Sequence, residues 1–195
     1  MAKRGRTEKY ALTPDQLAAV WKACVTDADK VLIALTGLLG MRVSEATHLN
    51  ATWIRGDRIY IPDDMPCSCS SCARSRAHPY RWRPKNKAGA RELPVIPQLR
   101  KPLGRLLQQS PKGLGISRAM AHKRVLAISK RSGVAPLFPH VLRATAATNF
   151  SRAGMSAQQL CYTMGWSEIE IGSHYIQIAQ AKDGSAAMIS RMFPG

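Results

Sequence analysis

The run VLIALTGLLGM, Val31 to Met41, constrains the fold more than any other stretch. It is apolar nearly all the way round a helical wheel, and only a helix enclosed by other elements can hide such a surface. This helix is expected at the centre of the domain. It is about half the length of a membrane span, which needs roughly 20 apolar residues. Amphipathic segments are available to cover it. Thr13-Pro14-Asp15-Gln16 reads as a helix start with a capping box, and Leu17, Val20, Trp21 and Cys24 then recur at i, i+3, i+4 and i+7. Leu99, Leu103, Leu106 and Leu107 form a second stripe, with Pro102 starting or kinking that helix. Ser117 to Arg131 is a third helix, with Ala121, Val125 and Ile128 pointing one way. From Pro139 the pattern is helical almost to the end, broken near Gly154, Gly165 and Gly172.

Two stretches read as extended. IRGDRIYIP alternates around a Gly-Asp turn and predicts a hairpin, and Tyr80 to Val95 predicts a second pair turning near KNKAG. The expected fold class is therefore mostly α (α+β): one helical domain with a small antiparallel sheet. With 195 residues, 45% of them hydrophobic, one core is affordable and a second is not. The expected organisation is a basic tail at 1–10, a domain at 11–195 and a cysteine-rich insertion at 66–79.

The formal net charge is +17, and no acidic residue falls between Glu92 and Glu168. Arg100, Lys101, Arg105, Lys112, Arg118, Lys123, Arg124, Lys130, Arg131, Arg143 and Arg152 lie inside that span. Such a distribution predicts a face for a polyanion, and double-stranded DNA is the expected partner. Lys123 and Lys130, like Arg124 and Arg131, repeat at i, i+7 and are candidate phosphate contacts, as are Lys87 and Arg91. No basic amphipathic helix with large apolar anchors favours a membrane surface. The basic N-terminus has no apolar run behind it and is not a signal peptide, so a cytoplasmic, DNA-associated protein is expected. Of five cysteines, three crowd into CSCSSC. Cys67, Cys69 and Cys72, with His78, are candidate ligands for a structural zinc. His48 and His122 read as ordinary structural histidines.

Four separated elements carry the chemistry: GMRVSE, with Arg42 at a helix start and Glu45 on the same face; PKNKAGAREL, with Lys85 and Lys87 at a tip; HVLR, with His140 and Arg143 on one face; and MGWSEIEIGSHY, with Trp166 and Tyr175. In this order and spacing they closely resemble the tyrosine recombinase (phage integrase) family, over about Leu12 to Gln180. The resemblance implies the catalytic domain of such an enzyme, without a separate N-terminal core-binding domain. It implies Arg42 and Arg143 as a clamp on the scissile phosphate, Lys85 (or Lys87) as the acid for the leaving sugar oxygen, and His140 as a phosphate donor or base. Glu45 would orient Arg42 or His140, and Tyr175 would be the nucleophile forming a 3′-phosphotyrosyl link. Most members carry histidine where this chain has Trp166, whose indole N–H can donate to a phosphate but cannot shuttle a proton. His174 adjoins the nucleophile and could tune it, and Tyr162 is the nearest rival phenol. The family implies no cofactor for catalysis and a tetrameric assembly on DNA. Alternative functions are an inactive DNA-binding accessory protein or a relaxing activity like that of type IB topoisomerases.

Overall fold

The computed structural model describes residues 8–192; residues 1–7 of the expected basic tail lie outside the described residues, and its last three, Glu8–Tyr10, form a 3-10 turn packed on the helix that begins at Pro139. Helix α1 (Pro14–Lys22) starts as the sequence predicts, with the Thr13 hydroxyl accepting from the Gln16 amide and the Gln16 side chain accepting from the Thr13 amide. Helix α2 (Asp27–Ile33) runs into a π-helical turn, Ala34–Leu38, and Val31 to Leu35 are wholly buried. The apolar run is the core it was expected to be. Helix α5 (Pro97–Gln109) packs on α2, α6 (Arg118–Ser132) on α1 and α2, and α7 (Pro139–Arg152) on the π-helical turn. Gly37 makes that last approach close, since a Cβ there would lie 3.1 Å from a Leu142 methyl carbon. No helix among the described residues is long and apolar enough to cross a membrane.

The run ends at Gly40, which has φ +66°, and the chain turns into helix α3 (Val43–His48). Strands β1 (Ile54–Arg55) and β2 (Arg58–Ile61) form the predicted hairpin. The second extended pair differs from expectation. Strand β4 (Arg81–Trp82) pairs with β3 (Met65–Pro66) across the cysteine insertion, while β5 (Arg91–Pro94) pairs with β2. The two halves of Tyr80–Val95 therefore join different partners, because Leu93 has the buried Ile59 as its cross-strand neighbour and Trp82 has Met65. Within the insertion, Ser70–Ala73 forms a single helical turn, α4. Pro102 lies inside α5, and the helix begins at Pro97.

After α7 come α8 (Ala157–Met164) and α9 (Ile169–Met192), with breaks at Gly154 and Gly165. Gly172 does not break the chain. It sits inside α9 where the helix meets α8, and a Cβ there would lie 2.8 Å from the Ala157 carbonyl oxygen. Helix α9 packs on α7 and α8.

Candidate active site

The site is organised by the C-terminus of α8. The last carbonyls of a helix lack intrahelical partners and carry partial negative charge. Here three consecutive carbonyls, of Thr163, Met164 and Gly165, accept from three arginines. Arg91 Nε donates to Thr163 O at 2.8 Å, Arg143 Nη2 to Met164 O, and Arg42 Nη2 to Gly165 O at 2.6 Å. Arg143 Nη1 also donates to Gly40 O. Gly165 has φ +63°, and a Cβ there would lie 2.8 Å from Arg91 Nη1 and 3.0 Å from Arg42 Nη1. Sequence reasoning took Gly165 only as a helix break; it is the residue that lets two guanidiniums approach one helix end.

Glu45 balances the cluster. It is 1% exposed, accepts from Arg42 Nη1 at 2.9 Å, and takes both Nη groups of Arg91, at 3.2 and 2.9 Å. Its second oxygen also accepts the Arg42 amide, which fixes the helix start. Burial opposes the Glu45 charge, but the Arg91 charge and hydrogen bonds, then Arg143 and Arg42, outweigh it and hold its pKa below the ordinary value. Three guanidiniums face one carboxylate, so the cluster keeps a net positive charge. Arg143 is nearly buried, and burial first, then the Arg42 charge, pushes its pKa down. A guanidinium starts high enough to stay protonated.

The other expected residues gather around this cluster. His140 lies in the first turn of α7, and burial, then the charges of Arg143 and Lys85, lower its pKa. Lys85 and Lys87 are both exposed in the loop between β4 and β5. That loop touches the segment after α8 through Asn86 Nδ2, 3.4 Å from Ser167 Oγ. Lys85 is thus the lysine whose charge His140 feels. Trp166 stacks on Tyr175, with ring centroids 5.1 Å apart and planes at 25°, and the Arg143 guanidinium lies 5.7 Å from the Trp166 ring centroid. Tyr175, on α9, is 8% exposed among Ala147, Leu160 and Met164. His174 beside it is exposed. Tyr162 is remote from this arrangement in role: it is 56% exposed, and its hydroxyl accepts from the Glu92 amide on β5 at 3.2 Å.

Several expectations are corrected. Arg91 is not a surface DNA contact: its side chain is fully buried and its donors are used by Glu45, Gly89 and Thr163. The acid-free span is not acid-free in space either. Asp29 of α2 accepts Arg131 at 3.0 Å and lies 3.6 Å from Arg124, while Asp27 pairs with Arg105 and Asp183 with Arg152. Arg124 and Arg131 tie α6 to α2 through Asp29, although Arg131 stays exposed, and Lys123 and Lys130 are exposed as well. In the insertion, His78 is exposed and takes no part in the cysteine cluster. His48, at the end of α3, replaces it: the ligand atoms of His48, Cys67, Cys69 and Cys72 all lie within 4.8 Å of one another.

Known structures share this fold. The chain is similar to XerA recombinase, at 17% identity and TM-score 0.67, with 100% of this chain aligned to 67% of that one. It is similar to the Tn1549 transposon integrase in complex with circular intermediate DNA, at 18% identity and TM-score 0.66, where 85% of this chain covers only 61% of the integrase. It also resembles the catalytic domain of bacteriophage HP1 integrase, at 16% identity and TM-score 0.57, covering 94% of this chain and 97% of that domain. No curated protein sequence matches this chain. The family model described as "Phage integrase family" matches residues 11–182, nearly the whole domain that holds the arginine cluster and Tyr175. By that match the chain belongs to the phage integrase family, the tyrosine recombinases.

Proposed function

We propose that this protein breaks and rejoins DNA strands at specific sites through a covalent 3′-phosphotyrosine on Tyr175. The observation that carries the reading is the convergence of Tyr175, Trp166 and two guanidiniums at the end of α8. A phosphodiester under attack gathers negative charge on its non-bridging oxygens. Arg42 and Arg143, permanently charged and held in place beforehand, suit that charge without reorganising. Tyr175 Oη attacks phosphorus, the P–Oη bond forms and the bond to the 5′ oxygen breaks. His140, whose pKa is pushed down by burial and then by the charges of Arg143 and Lys85, can accept the phenol proton. Lys85 gives its proton to the leaving 5′ oxygen, with Lys87 as the alternative donor. Trp166 packs the nucleophile and offers its indole N–H to the phosphate. The phosphotyrosyl bond conserves the energy of the broken one. A 5′ hydroxyl from another strand can therefore reverse the step without a nucleotide or metal cofactor. The partners of this activity would be duplex DNA and further copies of the chain, in a tetrameric synapse.

Duplexes drawn from DNA flanking the gene, nicked beside each candidate phosphate, provide the test. The expected product is protein joined to a 3′ end without added metal, with peptide mapping placing the DNA on Tyr175. DNA on Tyr162, or on a 5′ end, would overturn the reading. Exchange between two differently labelled duplexes separates recombination from simple relaxation.

The charge distribution adds an expected result for binding. Log affinity for duplex DNA should fall steeply with log salt as bound phosphates release counterions. Replacing Lys123 and Lys130 together by Ala should flatten that slope by up to about two units, because each phosphate contact contributes roughly 0.9. An Arg124→Ala change should act mainly on stability, through the lost tie to Asp29. Fluorescence anisotropy across a salt series measures both slopes.

A further inference from the structure

We infer that His48, Cys67, Cys69 and Cys72 bind one zinc ion, which pins the cysteine insertion to α3, the helix that carries Arg42 and Glu45. This is the only such metal-competent group among the described residues. His48 Nδ1 lies 2.7 Å from the Ser44 carbonyl, which can only accept, so Nδ1 carries the proton. Its Nε2 lone pair then faces Cys69 Sγ at 3.4 Å and Cys72 Sγ at 3.5 Å. A tetrahedral zinc with ordinary bond lengths would place nitrogen and sulfur ligands about 3.5 Å apart.

The surroundings hold these ligands in place. Trp82 stacks on the His48 ring at a centroid distance of 5.5 Å, and its indole N–H donates to Ser44 Oγ at 3.2 Å. The chain returns tightly: the Cys67 amide donates to Tyr80 O at 2.8 Å, and the Tyr80 amide to Cys72 O at 3.0 Å. Tyr80 has φ +56°, the one non-glycine residue with positive φ among the described residues. Such a conformation persists only where its surroundings over-determine it, and a metal ion would do that here. Three sulfurs and one imidazole favour a soft, tetrahedral, redox-inert ion. With four protein ligands the site has no open position, so its role is structural. His48 follows Glu45 by one helical turn, and the ion would therefore fix the far end of the helix whose start holds the arginine cluster. The consequence for strand cleavage rests on the function proposed above; the metal binding does not.

The test uses the full chain purified without metal supplementation. Elemental analysis should find about one zinc per chain. Cobalt substituted under reducing conditions should give thiolate charge-transfer and tetrahedral visible bands. His48→Ala and Cys69→Ser should weaken cobalt binding by more than about 100-fold, and His78→Ala should leave it unchanged. Chelation of the wild type should lower its melting temperature by roughly 5–10 °C, and should slow adduct formation until zinc is restored. Absence of both stoichiometric metal and tetrahedral cobalt bands overturns the site. So does a disulfide among the three cysteines, or equal losses in His78→Ala and His48→Ala. Adduct formation unaffected by chelation overturns the link to α3. Metal bound as expected, with no DNA on Tyr175, leaves the site standing and removes the catalytic reading.

Discussion

Tyr175→Phe should form no covalent adduct with a nicked duplex, a loss of at least about 10³-fold relative to the wild type. The change removes one oxygen and leaves the ring, so the stack on Trp166 and the packing on Leu160 and Met164 persist. Its cost in stability should be on the order of 1 kcal/mol, that of one hydrogen bond. Binding to duplex DNA should be nearly unchanged, because the cations are intact. Denaturing gels with labelled DNA read the adduct, and anisotropy reads the binding. Tyr162→Phe is the control and should stay active, since Tyr162 is exposed and its hydroxyl receives the Glu92 amide. An adduct formed by Tyr175→Phe would sink the assignment. Arg143→Ala should also suppress the adduct, by about 10²–10³-fold if one preorganised donor set is lost. That variant is less clean. Arg143 also ties Gly40 to Met164, so its melting temperature must be measured beside its activity.

The second large effect concerns stability. Glu45→Ala should destabilise the fold by about 3–5 kcal/mol, because it leaves the fully buried Arg91 guanidinium without its counter-charge. In a domain of this size that is a fall in melting temperature of roughly 10 °C. Adding Arg91→Met should recover part of the loss, since the stranded charge is removed with its partner. Two equal and additive losses would show that the pair is not the cause. The acid side gives an independent check. The Glu45 pKa is lowered on folding, so the carboxylate's contribution is complete above the unfolded value, about 4.3, and is lost as pH falls through the folded value. The wild type should lose stability on that limb more steeply than Glu45→Ala. Denaturant melts between neutral and acid pH measure the difference.

Local chemistry was legible in the sequence. The Thr13 capping box, the Gly-Asp hairpin and the helix all apolar at Val31–Leu39 each depend on near neighbours, and each was found where the pattern placed it. The motif order also pointed to the right family. Pairings across the chain were illegible. Nothing around Arg91 announces that its partner is Glu45, so its place in the sequence reads as a surface cation where the fold has a buried ion pair. Asp29 lies far outside the acid-free span, yet α2 carries it to Arg124 and Arg131. His78 lies nearer the cysteines in sequence, but His48 lies nearer in space because α3 ends beside the insertion. A signal did exist for Gly165. A glycine directly after an amphipathic helix suggests a left-handed C-cap, and the exposed carbonyls of such an end attract cations. What the sequence lacked was any hint that Arg91 would join Arg42 and Arg143 at that helix end.

The position of α9 bears on which chain would supply the nucleophile in the function proposed above. Tyr175 is seated on α7 and α8 of its own chain, in the same polypeptide that supplies Arg42 and Arg143. Within one chain, Trp166 stacks on Tyr175 and the Arg143 guanidinium lies by the Trp166 ring, so the proposed nucleophile and phosphate clamp share one polypeptide. Under the function proposed above, mixing a Tyr175→Phe chain with an Arg143→Ala chain should not restore adduct formation.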